Sequence, residues 1–201
     1  ETLRYTVSDG FDPDVTATVT ITVEGANDGP VAHGDVYGAE VLDLDAFVAA
    51  FGANLVWLND GDGAFSDSGQ ALGSSNSRGV VLGDVDGDGD LDAFVASSGT
   101  NLVWLNDGSG AFSDSGQVLG SLDSFDAALG DVDGDGDLDA VVVNNYNQAS
   151  QVWLNDGSGG FGDSGQTLSI GNATGVALGD LDGDGDLDAF VSSDGYADTV
   201  W

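Results

Sequence analysis

From about residue 34 onward, short apolar runs alternate with clusters of glycine and aspartate. In one such stretch GVVLGDV (79–85) reads as a strand and LDAFVAS (91–97) as a second. NLVWLN (101–106) is a third, and AFSDSGQVL (111–119) is a looser fourth. Gly-rich turns separate them: an acidic loop, then SGT, then DGSG. Runs such as AFVA and LVWL are nearly continuous in apolar residues, as expected of strands buried on both faces. No apolar stripe of helical period runs long enough to make a helix. The N-terminal part follows another rule. TLRYTVSDG (2–10) and VTATVTITVEG (15–25) alternate apolar residues with Thr or Ser, which predicts two antiparallel, half-buried strands.

The four-strand pattern returns. Trp57, Trp104, Trp153 and Trp201 lie 47, 49 and 48 residues apart, and Asp84, Asp131 and Asp180 open acidic loops 47 and 49 apart. Between them recurs WLNDGDGAFSDSGQALG, WLNDGSGAFSDSGQVLG and WLNDGSGGFGDSGQTLS, starting at each of the first three tryptophans. A period near 48 with four short strands per unit matches a propeller blade, whose period is about 40–50 residues. The expected fold is all-β: about three and a half blades, an incomplete β-propeller, following the last strands of a β-sandwich. A β-solenoid is the runner-up, although its repeats are usually shorter. The expected division is 1–28 for the sandwich strands, 29–33 for a linker and 34–201 for the blades. Glu1 falls within a strand and Trp201 within a repeat, so the chain reads as an internal stretch of a longer protein, with its terminal blades exposing unpaired faces. The tryptophans, and Phe65, Phe112 and Phe161 after each NDGxG, are expected to pack within and between blades.

Composition narrows the function. The 201 residues carry 36 acidic side chains against two basic ones, Arg4 and Arg78, for a formal charge of −34. Nucleic acid is excluded as a partner because nothing could neutralise its phosphates. No segment suggests membrane insertion. There is no Cys, so neither disulfides nor thiol chemistry arise. A single histidine, His33, and only Glu1, Glu24 and Glu40 as glutamates leave no catalytic triad and no acid/base pair beyond loop aspartates. The sequon at Asn172 and the lack of lysine add no chemistry.

The acidic loops are the candidate site. In LGDVDGDGDLDAFV, counting Asp84 as position 1 places Asp86, Asp88, Asp90 and Asp92 at positions 3, 5, 7 and 9, with Gly87 and Gly89 between. Two like charges at about 4 Å repel by roughly 4 kcal/mol at an effective dielectric near 20. Converging carboxylates therefore require a cation. An all-oxygen, flexible, anionic cage suits Ca²⁺, while Mg²⁺ takes fewer protein ligands and Zn²⁺ would need His or Cys. An EF-hand needs Glu at position 12, where Val95, Val142 and Val191 stand, and helical flanks. A nine-residue calcium β-roll would repeat every nine residues. A calcium-binding hairpin loop remains, with side chains from positions 1, 3, 5 and 9 and a carbonyl from position 7.

DVDGDGDLD followed by WLNDGSGAF resembles the FG-GAP or VCBS repeat of α-integrin-type β-propellers, over residues 34–201. The resemblance implies calcium at Asp84, Asp86, Asp88 and Asp92 with the Asp90 carbonyl. It implies the same at Asp131, Asp133, Asp135, Asp137 and Asp139, and at Asp180, Asp182, Asp184, Asp186 and Asp188. The first unit departs from it: in GDVYGAEVLDLDAF, Tyr37 takes position 3 and two residues are added. Asp35 and Asp45 remain, with Glu40 or Asp43 nearby, so a weak or empty extra site is expected there.

The N-terminal YTVSDG…ATVTITVEGANDGPVA is similar to the final strands of cadherin-like or Ig-like repeats of bacterial surface adhesins. That resemblance implies Asn27 and Asp28 as ligands of a junction ion; an Asx-Gly-Pro turn is the alternative. Together these features point to a calcium-binding, non-catalytic module of a large secreted or cell-surface protein. Its expected partner is an unknown protein or carbohydrate, in adhesion or ligand binding. The alternative is an accessory propeller of a secreted polysaccharide-degrading hydrolase or lyase.

Overall fold

The structure, a computed structural model, describes residues 2–7, 17–22, 45–168 and 172–201. Asn27, Asp28, His33, Asp35, Tyr37, Glu40 and Asp43, and the expected linker at 29–33, lie outside the described residues. The described residues hold strands and turns and no helix.

β1 (Thr2–Val7) and β2 (Ala17–Thr22) pair antiparallel from Thr2↔Thr22 to Val7↔Ala17, the hairpin that the period-two alternation predicts. The first repeat follows with β3 (Ala46–Val48), β4 (Asn54–Asn59) and β5 (Phe65–Leu72). The second has β6 (Asn76–Gly83), β7 (Asp92–Asn106) and β8 (Phe112–Asp114). The third has β9 (Leu119–Gly130), β10 (Asp139–Asn144), β11 (Ser150–Asn155) and β12 (Phe161–Leu168). The fourth has β13 (Ala173–Gly179), β14 (Asp188–Ser193) and β15 (Thr199–Val200).

Each repeat folds as an antiparallel meander, with β9-β10-β11-β12 the full four-stranded case. The second repeat differs in two ways from the sequence expectation. SGT is not a break, because β7 runs through it without interruption. The chain still doubles back there: Asn106 N–H bonds the Asp92 carboxylate at 2.8 Å, joining the two ends of one strand. Gly99, at φ 107°, allows the reversal. Residues 98–101 also pair with β9 through Ser98↔Asp123 and Asn101↔Leu119, which fuses repeats two and three into one seven-stranded sheet. The looser fourth strand shrinks accordingly to three residues.

β9 lies against both β6 and β13 with no ladder between them. First strands gathered side by side, with later strands leading away, are the layout of blades around a propeller axis. The fold is all-β, an incomplete propeller-like array of repeats of about 50 residues.

The core consists of layers between blades. One joins Val85, Phe94 and Val103 of repeat two to Val142, Trp153 and Phe161 of repeat three. A second lies between repeats one and two and a third between repeats three and four. Phe94 meets Phe161 edge-to-face at 5.3 Å between ring centres, and Phe47 meets Phe112 at the same distance. Such pairs add about 0.5–1.5 kcal/mol beyond the area they bury. Phe112 and Phe161 thus pack between blades as expected, but Phe65 is 50% exposed. Its counterparts each rest on a phenylalanine of the preceding repeat, and no described repeat precedes Phe65. Trp104 and Trp153 are buried, Trp57 is half-buried and Trp201 is exposed.

The blades approach closely at one recurring glycine position. A Cβ on Gly83 would come within 2.8 Å of Leu129 Cδ1 and 2.9 Å of Leu138 Cδ1 in the next repeat. Gly130, its counterpart, faces Leu187 and Leu178 in the same way, at 2.7 and 3.0 Å.

Candidate metal centre

Each acidic loop joins the first and second strands of its blade. The flanking pairs Gly83↔Asp92, Gly130↔Asp139 and Gly179↔Asp188 close it as a hairpin. Position 1 shapes the turn. The Asp84 carboxylate accepts the Gly87 N–H at 2.8 Å and the Gly89 N–H at 3.0 Å. Asp131 does the same with Gly134 and Gly136, and Asp180 with Gly183 and Gly185. The turn needs φ of 77° at Gly87 and 96° at Gly89, which glycine adopts without steric cost.

Position 9 closes the loop from below. Asp92 is fully buried, and its Oδ2 accepts the Val85 N–H at 3.0 Å while Oδ1 accepts that of Asn106 at 2.8 Å. Asp139 repeats this with Val132 and Asn155, and Asp188 accepts the Leu181 N–H at 2.8 Å. Asp45 keeps half the pattern in the first repeat, taking the Asn59 N–H at 2.9 Å.

These constraints bring positions 1, 3 and 9 together. In Asp84–Asp86–Asp92, Asp131–Asp133–Asp139 and Asp180–Asp182–Asp188, one carboxylate oxygen per residue lies within 4.8 Å of the other two. Position 5 stands outside these groups: Asp88, Asp135 and Asp184 each accept the N–H of the residue two places on, at 2.9–3.0 Å. Position 7 leans elsewhere. A Cβ on Gly108 would collide with the Asp90 carboxylate, and one on Gly157 with that of Asp137.

Electrostatics set the cost of this gathering. Burial pushes the Asp92 carboxyl up to about 6, against the lowering effect of the Asn106 and Val85 N–H groups and with added repulsion from Asp86 and Asp88. Asp86 is raised by desolvation first and then by Asp88 and Asp84. Asp133 and Asp137 are raised by desolvation and by the Asp135 charge beside them. By contrast, Asp107 and Asp156 in the NDGSG turns are held below the ordinary value by the hydroxyls of Ser109 and Ser158. Only oxygen donors are present, each retains lone pairs beyond the bonds it accepts, and the negative charge is concentrated. That donor set fits a hard divalent cation and not zinc.

Two recurring residues act at this end without being identified by the sequence reading. Asn155 Nδ2 donates to Leu138 O in its own loop at 3.1 Å and to Val85 O of the preceding blade's acidic loop at 2.8 Å. Gln117 clasps the next blade, its Nε2 donating to Gly159 O at 2.7 Å and its Oε1 accepting the Phe161 N–H at 2.8 Å. Gln70 makes the same clasp to Gly110 and Phe112. The signal was present in the fixed register of WLND and DSGQ.

Residues 42–95, 84–142 and 131–191 each match the FG-GAP-like repeat family. No curated protein matches the chain. The chain also aligns with a chain of the Photorhabdus luminescens Tc holotoxin pore at 19% identity and a TM-score of 0.42, covering 100% of this chain and 10% of that one. A likeness that loose carries no argument, and this chain spans only a tenth of that one. The three family matches together span residues 42–191, most of the chain, in register with the acidic loops, and so the chain belongs to the family of FG-GAP-like repeats.

Proposed function

We propose that the three acidic loops bind Ca²⁺ and that the ion holds the blades of a non-catalytic, ligand-binding module. The observation that carries this reading is the threefold convergence of positions 1, 3 and 9 on all-oxygen clusters. Asp84, Asp86 and Asp92 would hold one ion, Asp131, Asp133 and Asp139 a second, and Asp180, Asp182 and Asp188 a third. Positions 5 and 7 would complete each shell from the same loop. The bound charge offsets the desolvation that raises Asp92 and Asp86.

Calcium dependence suits a calcium-rich setting, so the module belongs outside the cell, in a secreted or surface protein. Among the described residues no helix is long and apolar enough to cross a membrane. Residues 1–28 would end a β-sandwich, 29–33 would link, and 34–201 would form the array.

Calorimetric titration with Ca²⁺ should reveal three sites with Kd of roughly 10⁻⁴–10⁻³ M, the range of extracellular modules. Ligand binding to the folded state adds stability by mass action. The melting temperature should therefore fall in EDTA and recover with Ca²⁺ but not with equal Mg²⁺. An unchanged melting curve on chelation would sink the reading. Four equal sites would refute the assignment of a weak first loop.

A further inference from the structure

The connections between second and third strands lie at the strand ends opposite the acidic loops. They are AAFGA (49–53), SGT (98–100), NYNQA (145–149) and DGYAD (194–198), and no two agree. Insertions confined to one face of a repeat array often mark its binding face. Three of the four carry an exposed aromatic side chain: Phe51 at 78%, Tyr146 at 62% and Tyr196 at 56%. The loops of repeats three and four are joined. Tyr196 Oη donates to Asn147 Oδ1 at 3.2 Å, and the Asn147 N–H donates to Asn172 Oδ1 at 3.2 Å. The Asp194 N–H donates to Asn172 O at 2.9 Å. The base is pinned as well, because Gln148 Oε1 accepts the Asp123 N–H at 2.7 Å.

Strain gathers at the same place. Tyr146, Asn147 and Asn172, at φ 54°, 59° and 51°, are the non-glycine residues with positive φ among the described residues. Residues held in such conformations cluster at binding sites, and an observed outlier is a reason to look for one. The blade framework does not demand it, since repeat two closes its loop with glycine.

We propose that Tyr146, Asn147 and Tyr196 form a binding site for a neutral carbohydrate. The two rings offer rigid, amphipathic faces with few torsions to freeze, and Asn supplies adaptable hydrogen bonds. Sugar C–H groups, partially positive, suit the negative face of an aromatic ring. Asn147 Oδ1 accepts from Tyr196 Oη, and its Nδ2 donates to no acceptor among the described residues, which suits it to a sugar hydroxyl. Acidic ligands are disfavoured by the formal charge of −34. Arg78 cannot serve them, because it is paired with Asp123 at 3.6 Å and stacked 4.2 Å from the Phe125 ring centre.

This proposal rests on reading the chain as a ligand-binding module. The test is a panel of neutral and acidic oligosaccharides presented to the full chain in Ca²⁺, followed by titration with the best neutral hit. Tyr146→Ala and Tyr196→Ala should each weaken binding about tenfold, equivalent to about 1.4 kcal/mol. Tyr196→Phe, which keeps the ring but not the bond to Asn147, should lose a few-fold less. Each variant should melt as the parent does and respond equally to Ca²⁺. Failure of the panel to yield a neutral binder, binding of acidic sugars alone, or variants that bind like the parent would each overturn the proposal. So would a protein partner held by this patch in the absence of any sugar binding. Sugar binding without Ca²⁺-dependent melting would instead remove the calcium reading and leave this one standing.

Discussion

Where β6 meets β7, β9 meets β10 and β13 meets β14, one loop recurs three times with the same aspartate and glycine bonds. At the opposite end of the same strands the connections differ in length, residue type and backbone conformation. The acidic ends hold buried carboxylates, paired backbone groups and contacts to the next blade, so each residue there has several partners to satisfy. The other ends hold exposed tyrosines and strained turns whose loss would uncover no core. One end of this fold is held by its own packing and charge, and the other is free to be spent on recognition. Substitutions at the two ends should therefore differ in magnitude and finally in sign.

The largest effect is expected at Asn155. Its amide satisfies Leu138 O and, across the blade boundary, Val85 O, and the residue is 5% exposed. Asn155→Ala would leave buried carbonyls unpaired, at about 1–3 kcal/mol for such a group. We expect roughly 3 kcal/mol of destabilisation in denaturant melts, and weaker Ca²⁺ binding in the second repeat's loop. Asn106→Ala is the control, because its Nδ2 donates to Leu91 O at 3.2 Å and its Oδ1 accepts the Gly108 and Gly110 N–H groups, all within its own repeat. Equal losses from the two substitutions would deny any cross-blade role.

Next is Gly83→Ala. Its methyl group would meet Leu129 and Leu138 at under 3 Å, and overpacking of that kind typically costs about 1–3 kcal/mol. A smaller loss, about 1 kcal/mol, is expected of Gln117→Ala, which opens one clasp of two hydrogen bonds at a half-exposed site. Urea midpoints of the two variants, measured side by side, check that order. A larger loss at Gln117 than at Gly83 would show that the clasps, and not the close approach of strands, hold the blades together.

How much of this was legible beforehand follows the same division. The period, the strands and the convergence of Asp84 with Asp86 and Asp92 could be read because they arise within one local string, where glycine at positions 4 and 6 dictates the turn. The first repeat's departure from the loop pattern is a matter of sequence alone, since Tyr37 lies outside the described residues. What escaped depends on which blade lies beside which. Gln117 looks like any polar strand residue until Gly159 is brought next to it. Asp90 reads as a carbonyl ligand, and nothing in its own loop announces that its carboxylate rests against Gly108. Phe65 belongs with Phe112 and Phe161 by sequence, yet among the described residues it has no phenylalanine of a preceding repeat to rest on. The tyrosine patch is assembled from loops 49 residues apart, joined at Asn147 and Tyr196, and no repeat pattern could announce it.

The smallest expected effect carries the most information. Tyr146 sits at φ 54°, and an L-residue in that region costs about 1–2 kcal/mol relative to right-handed or extended backbone. Glycine escapes that cost but loses about 0.5–1 kcal/mol of conformational entropy on folding. Tyr146 is 62% exposed, so little buried area is lost with its ring. Tyr146→Gly should therefore leave stability unchanged or raise it by up to about 1 kcal/mol. The melting temperature would hold or climb slightly while any sugar affinity disappears. Glycine at the acidic end has less latitude, since at Gly83 the added methyl meets two leucine side-chain ends at under 3 Å, and these must shift. If Tyr146→Gly instead cost more than about 1 kcal/mol, the tyrosine would be a structural residue like those at the acidic end. The two ends would then no longer differ in kind, and the reading of the variable loops as a recognition surface would fall with that difference.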